Sequence, residues 1–532
     1  MTPPPRRVLS LLLLALAALL GVVLTGCEPK EDLLTTNPSA TLTASVEMVK
    51  FDTVFTSRGS ITKRFWVYNR NARAVKVDEI SLVGAASAVA RFELIINGRD
   101  TTVLRDFELR GKDSVLVLAK VTVNPNAADT AFVVMDSVRL RANSTTRYVR
   151  LRAYGENARY YDASPGFAIK VACDTTWTPR LPIVLLGSAL VDSSCTLTIA
   201  PGTRVYLANG ASLVVQGQLL CGELGVGKAP VKFRGLRRDD FYDTTDPRYS
   251  AEFYTDLFKY GNTPGQWGTI VFQPCNDDRL LRENKLLNTD IRNSTFGVLI
   301  SNPRYLSGHQ VRIESCFIRN AYFVGVYGVA AGVGTGGGVV LTNTVITRCG
   351  ERAVLGLGGG NWRLSHCTIE LGGALFPRRD TEALAFSNDV QFIKDGPIYS
   401  RKTTLTVENS IVWSGLTDPD RGGLQNEILL LREGTNQDSS YVFRHNVLQT
   451  RFNRFNTDGA TYGRGESGTN VLNQDPRFRG AGSNLKLDLR LDSLASPARR
   501  LGEVLSPPVP LDLRNESRNP ANPSAGAYEH KP

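Results

Sequence analysis

Histidine, methionine, tryptophan and cysteine are scarce in this sequence, which contains four, three, five and eight of them among 532 residues. None of the cysteines forms a CxxC pair or lies in a Cys/His cluster, so a zinc site is not expected. The glycine-rich stretches are not followed by Gly-Lys-Ser/Thr and therefore predict tight turns rather than a phosphate loop. We accordingly predict neither a metal nor a cofactor.

Long runs of basic residues are also missing, although the formal net charge is +11. The basic residues alternate with apolar ones, as in Arg147–Arg152, which is typical of the solvent-facing side of a strand rather than of a nucleic-acid partner site. The composition, 42% hydrophobic and 21% charged, is that of a folded protein. The chain is too long for one ordinary core, so we expect several domains or a repeat architecture.

The first thirty residues combine a basic start at Arg6 and Arg7 with an apolar stretch that is too short for a comfortable transmembrane helix. Leu24-Thr25-Gly26-Cys27 follows and resembles the lipobox of bacterial lipoproteins. The resemblance implies that residues 1–26 are a signal peptide and that Cys27 is lipidated, which would hold the protein on a membrane. The alternative is a plain signal peptide with an incidental cysteine.

The residues after the lipobox predict where in the cell the protein is located. Lys30-Glu31-Asp32 resembles the surface-export signal of some Gram-negative lipoproteins, which implies an outer-membrane lipoprotein displayed on the cell surface. An ordinary charged tether would read much the same. We assign residues 27–45 to such a tether.

Residues 46–158 have the pattern of a small β-sandwich, with about seven short strands separated by turns. Asn97-Gly98 is the preferred dipeptide of a tight hairpin, and Asn143-Ser144 separates the last two strands. The stretch resembles immunoglobulin-like modules of bacterial surface proteins, notably at Phe51–Phe55 and Asp136–Val138. Such modules commonly space or present another domain.

A repeat begins beyond Pro165. Six triplets align in one column, with steps of 26, 28, 23, 43 and 36 between their middle residues, and the longer steps imply a loop insertion or an extra coil. The triplets are Thr289-Asp290-Ile291, Ser315-Cys316-Phe317, Asn343-Thr344-Val345, His366-Cys367-Thr368, Asn409-Ser410-Ile411 and His445-Asn446-Val447. The period predicts a solenoid over residues 165–470, because no coil buries its apolar face alone.

The order of strands and turns from Leu197 to Phe272 resembles the opening coils of pectate-lyase-like β-helices. Residues 471–532 resemble the closing segment of bacterial surface β-helix proteins, with Arg518 and a terminal Gly526-Ala527-Tyr528-Glu529, and are assigned to a capping segment. The predicted fold class is therefore all-β: a right-handed parallel β-helix solenoid preceded by a small β-sandwich.

The cysteines other than Cys27 are seven, so an odd one stays unpaired if the others form disulfides outside the cytoplasm. Their spacing is too irregular to assign bridges. Several lie in strand-like runs, where a reduced cysteine acts as a small buried hydrophobe.

Two further patterns resemble those of enzymes but are incomplete. Asn288-Thr289-Asp290, Gly308-His309 and Arg312-Ile313 resemble polygalacturonase motifs, but the paired aspartates between the first two are missing, Gln310 replaces a glycine and Glu314 a lysine. A calcium-dependent lyase needs clustered acids, and Asp277-Asp278 has no second acidic cluster one coil away. We therefore predict no catalytic residues and no pectinolytic activity.

The insertion from Leu236 to Pro264 interrupts two adjacent strands and must leave the coil as a long loop. Its carboxylates and aromatic rings suit sugar binding, and the alternative is that the aromatics pack the loop onto the solenoid. The candidate glycan-binding residues are Asp239, Asp240, Tyr242, Asp243, Asp246 and Tyr249.

The function predicted from these features is a non-catalytic, membrane-anchored surface protein that binds a polysaccharide or an envelope partner. One alternative is a polysaccharide lyase or glycoside hydrolase of the β-helix class, and another is a structural stalk. Acidic and basic residues on one exposed strand face would favour the enzyme, an exposed aromatic row the glycan binder, and a bland face the stalk.

Overall fold

The structure is a computed structural model that describes residues 34–84, 89–162, 168–237, 263–273, 283–302, 310–332, 337–371, 381–391, 394–415, 426–431, 439–450, 469–480, 488–492 and 494–531. All the secondary-structure elements described in these ranges are β-strands. No described helix could cross a membrane. The chain divides into two compact units, Met1–Asn126 with Phe132–Gly155 and Ala127–Ala131 with Glu156–Pro532.

The first unit is a β-sandwich of a six-stranded and a five-stranded sheet. Its strands are β1 (Leu34–Thr35), β2 (Thr43–Ala44), β3 (Met48–Phe55), β4 (Lys63–Tyr68), β5 (Ala74–Leu82), β6 (Ala90–Ile96), β7 (Arg99–Asp100), β8 (Val103–Leu109), β9 (Ser114–Val123), β10 (Phe132–Ala142) and β11 (Thr145–Glu156, which extends one residue into the second unit). The sheet orders are β1-β5-β10-β11-β3, with β8 beside β5, and β2-β4-β9-β6-β7.

Alternation explains why these segments pair as they do. Along β11, Val149, Leu151 and Ala153 are buried in the shared core while Arg150 and Tyr148 are exposed. The predicted hairpin turns are confirmed: Asn97-Gly98 and Asn143-Ser144 both adopt positive φ, as the twist of a two-residue hairpin requires.

The sandwich starts before the predicted boundary at Val46. Strand β1 pairs with β5 and strand β2 with β4, although residues 34–45 were assigned to the tether. These two-residue strands carry too few apolar positions to reveal a period, which is why the sequence pattern missed them.

The second unit contains the remaining strands. They are β12 (Arg159–Tyr161), β13 (Ile169–Lys170), β14 (Thr175–Trp177), β15 (Ile183–Leu185), β16 (Ala189–Val191), β17 (Thr196–Ile199), β18 (Arg204–Leu207), β19 (Leu213–Val215), β20 (Gln218–Cys221), β21 (Val231–Gly235), β22 (Ile270–Phe272), β23 (Glu283–Leu287), β24 (Thr289–Arg292), β25 (Val298–Ser301), β26 (Gln310–Glu314), β27 (Phe317–Arg319), β28 (Val324–Ala331), β29 (Gly338–Thr342), β30 (Val345–Thr347), β31 (Arg352–Ser365), β32 (Thr368–Glu370), β33 (Leu384–Ser387), β34 (Asp389–Gln391), β35 (Ile398–Ser400), β36 (Thr403–Glu408), β37 (Ile411–Val412), β38 (Ile428–Leu431), β39 (Ser440–Arg444), β40 (Val447–Leu448) and β41 (Val471–Leu472).

These strands stack into three parallel ladders, which confirms the predicted parallel β-helix. Face A is β12-β15-β18-β21-β24-β27-β30-β32-β37-β40-β41. Face B is β13-β16-β19-β22-β25-β28, the first part of β31, β33 and β38. Face C is β14-β17-β20-β23-β26-β29, the last part of β31, β36 and β39. One coil contributes one strand to each face.

The sequence column corresponds to the turn that leads from face C into face A. Its first residues adopt the left-handed conformation, with φ between 44° and 54° in Asn288, Ser315, Asn343, His366, Asn409 and His445. Asparagine tolerates this conformation better than most residues. The first predicted triplet was one residue late, because Asp290 rather than Ile291 pairs with Phe317.

The longer repeat steps are loop insertions, because the strands on either side of them pair directly: β32 with β37, and β37 with β40. The first of these steps contains the antiparallel hairpin β34–β35. The insertion that follows Leu236 likewise falls between β21 and β22, on successive faces of one coil.

The interior of the solenoid is one continuous apolar core. Four cysteines, Cys221, Cys316, Cys349 and Cys367, are unbridged and buried there, as expected for small hydrophobes. Burial raises the pKa of the Cys221 thiol to about 12, which keeps it protonated. Cys173 and Cys195, which precede these coils, form a disulfide that their spacing had not identified.

Candidate functional site

The outward side of face C carries polar side chains on four successive rungs, spaced about 4.8 Å apart along the solenoid. The register aligns Lys285, Arg312, Val340 and Arg363 in one row. The polar outward residues of these rungs are Glu283, Lys285, Gln310, Arg312, Glu314, Thr342, Asn361, Arg363 and Ser365, and apolar outward side chains are Leu287 and Val340. We call this surface the floor.

Each basic side chain of the floor has a carboxylate close by. Lys285 lies 2.8 Å from Glu283, and the Arg312 guanidinium contacts Glu314 at 2.5 Å. Strand alternation places each of these pairs two residues apart on the same side of one strand. The charges of these two rungs are therefore balanced locally.

Arg363 pairs with a carboxylate at the edge of the floor. Its Nε donates to Oε1 of Glu408 at 2.6 Å, and the Glu408 side chain is fully buried. Burial opposes ionisation of this carboxyl, but hydrogen bonds from Ser365, Arg444 and Arg363 outweigh it and lower its pKa. The charge of Arg363 is thus compensated by an ionised partner.

Residues 501–529, which we call the brace, run along the turn column rather than across the end of the solenoid. His445 Nδ1 lies 2.9 Å from the carbonyl oxygen of Leu501, and Asn409 exchanges hydrogen bonds with the backbone of Glu503 at 2.7 and 3.0 Å. Further on, Asn343 donates to the Leu511 carbonyl at 2.7 Å. The left-handed turn residues therefore hold the brace, coil by coil.

A buried arginine fastens the brace. Arg518, whose side chain is only 2% exposed, donates to Asn343 Oδ1 at 2.7 Å and to the Gly526 carbonyl at 3.0 Å, and it lies 3.5 Å from Glu529. Burial lowers its pKa to about 10. Asp512 accepts from the backbone N–H of Glu529 at 3.0 Å. Arg518 and the Gly526–Glu529 motif thus hold the brace in place by hydrogen bonds.

Between the floor and the brace lies a groove of about 520 Å³, which we call the brace groove. Its wall is the proline-rich stretch Leu505–Leu511, and Arg363 donates to the Ser506 carbonyl at 3.3 Å where floor and wall meet. The volume is within the range of ligand sites, and the lining combines apolar surface with a few polar groups. Sequence analysis missed it, because no local pattern shows that the brace folds back along the coils.

A second polar cluster lies on face A around Asp290. The carboxylate lies 2.6 Å from Arg234, 2.7 Å from Arg292 and 3.6 Å from Arg319. The three arginines, which we call the arginine ladder, occupy successive rungs. Asp290 is an outward residue of strand β24 and does not lie in the turn before it.

Aromatic side chains gather where face A turns into face B. Phe296 stacks on Phe323 with ring centres 5.3 Å apart, and Tyr327 lies 5.9 Å from Phe296. Tyr322 is 52% exposed, and its ring lies beside Gly265, next to the end of the insertion. Because these rings pack on one another, they form a small aromatic patch.

The candidate residues chosen from the sequence lie outside the described residues. These are Cys27 and the insertion residues Asp239, Asp240, Tyr242, Asp243, Asp246 and Tyr249. The polygalacturonase-like motifs are divided: Asp290 lies on face A, Arg312 lies on face C, and His309 is not described. Among the described residues, no group of three or more His, Cys, Asp or Glu is placed to hold a metal ion.

Comparison with known proteins gives structural similarity only. No family model and no curated protein sequence matches the chain. Among solved structures, the catalytic unit of the GH87 α-1,3-glucanase from Streptomyces thermodiastaticus strain HF3-3 is 15% identical, with 72% of each chain covered and a TM-score of 0.30. A second GH87 α-1,3-glucanase catalytic domain, in complex with tetrasaccharides, is 8% identical, with 81% of this chain and 90% of the other covered and a TM-score of 0.22.

The N-terminal domain of PorA is 14% identical, with 22% of this chain and 97% of that domain covered and a TM-score of 0.17. At these levels of similarity the function must be inferred from the chain's own residues.

Proposed function

We propose that this chain is an exported, membrane-anchored β-helix protein that binds an uncharged polysaccharide in the brace groove. The observation that carries the proposal is a groove of about 520 Å³ that spans several rungs of the solenoid and whose charges are paired in place. A groove of this kind suits a polymer, because hydrogen-bonding side chains stand on successive rungs about 4.8 Å apart.

The lining favours a neutral ligand over a polyanion. Glu283, Glu314 and Ser365 supply acceptors, while Gln310 and Arg312 supply donors, so sugar hydroxyls find partners of both kinds. Pairing leaves little surplus charge to attract an anion. Along the wall, the rings of the prolines offer apolar surface to the C–H faces of sugar rings.

The binding test uses a glycan array of neutral and acidic polysaccharides, followed by titration with the best neutral ligand. The double variant Arg312→Gln/Glu314→Gln removes one ion pair without changing the net charge, and we expect affinity to fall about tenfold or more, because hydrogen bonds to charged groups are lost. The control is Arg91→Gln, an exposed arginine of the sandwich. Unchanged affinity in the double variant would overturn the proposal.

A hydrolase is the second candidate, because acidic and basic residues share one strand face. Glu283 and Glu314 lie on adjacent rungs of the groove floor, four positions apart along the strands. Glycosidases use two carboxylates on either side of the scissile bond, so in this function the bond would lie between these two positions. Release of reducing ends that disappears in Glu314→Gln but not in Arg91→Gln would establish this function. Binding without release supports the non-catalytic protein, and no binding to any glycan would support the stalk.

The export part of the proposal rests on the lipobox at Cys27 and is supported by the Cys173–Cys195 disulfide, since disulfides persist in oxidising compartments. In this proposal the sandwich is an immunoglobulin-like spacer, and the solenoid is displayed on the cell surface. Replacing Cys27 with Ser should release the protein from membranes or leave it unprocessed. Normal processing with unchanged membrane partition would contradict the anchor.

The insertion remains a second candidate surface for the same glycan. We expect that shortening residues 236–264 to a Gly-Ser link leaves the fold intact, because β21 and β22 pair within the ladders on either side of it. If Asp239, Tyr242 and their neighbours contact the glycan, affinity falls in this variant while thermal unfolding does not change. Loss of the fold would instead mean that the aromatics pack on the solenoid.

A further inference from the structure

The arginine ladder concentrates positive charge on face A. Arg234, Arg292 and Arg319 come from strands β21, β24 and β27, which pair in parallel on successive rungs about 4.8 Å apart. Their side chains are 18%, 29% and 29% exposed, so the guanidinium groups lie at the surface but are not fully solvated. Three like charges at this spacing repel one another strongly in a partly dehydrated site.

One carboxylate offsets this charge within the part of the chain that the structure describes. All three arginines pair with Asp290, which leaves a surplus of two positive charges, three minus one. The nearest carboxylate further along the same row is Glu370, two rungs beyond Arg319, where it accepts a hydrogen bond from Thr347 at 2.9 Å. The contrast is with the groove floor, where Lys285 and Arg312 each have their own carboxylate.

The hydrogen bonds of the ladder are unevenly distributed. Nη1 of Arg234 donates to the carbonyl oxygens of Phe233 and Asp290, both at 2.8 Å, and Arg292 donates from Nε and Nη2 to the Asp290 carboxylate. The Nε of Arg319 is buried and has no hydrogen-bond partner among the residues that the structure describes. Its guanidinium carbon lies 4.8 Å from the centre of the Phe317 ring. Arg319 is therefore bound less tightly to Asp290 than Arg234 and Arg292 are, and its side chain, 29% exposed, can receive an acceptor from outside.

Burial is also costly for the cation at the start of the ladder. It lowers the pKa of Arg234, and the neighbouring charge of Arg292 acts in the same direction, although Asp290 opposes both. An additional anion beside the ladder would relieve this repulsion.

We infer that the arginine ladder binds a phosphate group, carried by an envelope molecule, between Arg292 and Arg319. A guanidinium presents a planar fork of donors that matches phosphate oxygens two at a time. A phosphate monoester carries a charge of about −1.5 to −2 near neutral pH, which balances the surplus of two. This site is separate from the glycan groove, because the ladder lies on face A and the groove on face C.

The first experiment is a titration of the purified chain with inorganic phosphate at low ionic strength, followed by calorimetry and by the thermal unfolding midpoint. We expect phosphate to bind and to raise the midpoint, and chloride at the same ionic strength to do neither. Arg319→Gln should weaken phosphate binding about tenfold or more, since a charge-assisted hydrogen-bond pair is lost. Arg319→Lys should recover only part of it, because lysine keeps the charge without the fork.

The groove variant is the matched control. Arg312→Gln/Glu314→Gln should leave phosphate binding unchanged, and Arg319→Gln should leave glycan affinity unchanged, so that failure of one site does not imply failure of the other. Unfolding without phosphate is measured for each variant, so that a folding defect is recognised as such. If Arg319→Gln does not fold, the comparison of Arg319→Lys with the wild-type chain decides.

Vesicles identify the source of the phosphate. Sedimentation with phosphatidic-acid vesicles but not with phosphatidylcholine vesicles, dependent on Arg319, would assign the site to a lipid headgroup. Phosphate binding without sedimentation would assign it to a phosphorylated polymer or a free metabolite. No binding of phosphate to the wild-type chain, or equal binding to Arg319→Gln, would overturn the inference.

Discussion

On face C every cation of the groove floor pairs with a carboxylate, and Glu408, which serves both Arg363 and Arg444, is supplemented by Glu503. On face A three arginines share a single carboxylate. The backbone is the same in both places, since parallel rungs repeat at the same spacing. The difference comes from the outward residues of each rung. On face C, Lys285 and Arg312 each have a carboxylate two residues away in their own strand. On face A only Arg292 has one, and Arg234 and Arg319 reach the same carboxylate from the strands on either side.

The comparison shows that the pairing of outward side chains, rather than the backbone of the solenoid, decides the net charge of each face. A pair within a strand neutralises itself and leaves hydrogen-bonding groups for a neutral ligand. A row across strands accumulates charge and requires a counter-anion. The two surfaces should therefore respond differently to the same perturbation.

The largest expected effect comes from Arg518→Met, which removes the buried cation that fastens the brace. Breaking a buried ion pair costs about 3–5 kcal/mol, so we expect a lower thermal midpoint and loss of glycan binding as the groove wall detaches. Phosphate binding at the arginine ladder should persist. The control is Arg514→Met, whose side chain is 48% exposed. Equal loss of both activities would show that the two surfaces are not independent.

A smaller effect is expected from acidification, and it concerns His366. Burial, with the charge of Arg518, lowers the pKa of this imidazole well below 6.5, and Asn409 Nδ2 lies 3.0 Å from its Nε2. The unfolded chain takes up the proton first, so the stability is present above about pH 6.5 and falls by about 1.4 kcal/mol per pH unit below it. The loss continues until the pKa of the folded state is reached.

The measurement is the thermal midpoint between pH 8 and pH 5, with glycan and phosphate titrations at both ends. His366→Asn should flatten the dependence between pH 7 and pH 5. Glycan binding should weaken at pH 5, while the arginines keep their charge throughout this range. Parallel slopes for wild type and His366→Asn would assign the acid sensitivity to other groups.

The sequence predicts the solenoid well because one turn conformation repeats. Each coil passes from face C to face A through a left-handed residue, and the polar residues that tolerate it mark the column. The N-terminal hairpins are predicted equally well, since Asn97-Gly98 and Asn143-Ser144 are typical of two-residue hairpin turns. The first triplet was predicted one residue too late. The structure places Asn288 at the start of the triplet and the buried Thr289 where Cys316 lies on the next rung, so Asp290 rather than Ile291 is opposite Phe317.

The surfaces were much harder to predict, because they depend on register between distant segments. Arg234 and Arg292 are neighbours in the ladder only because the insertion between β21 and β22 and the chain that follows it leave the register intact. Likewise, Asn343 meets Leu511 across 168 residues of sequence. The motif around Arg518 was visible as a pattern, but its contact with the turn column was not.

The smallest expected change in affinity, and the sharpest test of the comparison, comes from Asp290→Asn. This variant removes the shared carboxylate and raises the surplus on face A from two charges to three, while the amide can still accept a hydrogen bond from a neighbouring arginine. Because Asp290 is only 14% exposed, its loss should cost a stability between the about 1 kcal/mol of an exposed ion pair and the about 3–5 kcal/mol of a buried one.

Phosphate affinity should change in the opposite direction from stability. Asp290 competes with any bound anion for the donors of Arg292 and Arg319, so its neutralisation should tighten phosphate binding about two- to fivefold. Glu314→Gln on face C is the matched control and should leave phosphate binding as it is. Weaker phosphate binding in Asp290→Asn would mean that the carboxylate is needed to position the guanidinium groups, and the surplus charge would then not be what draws the anion.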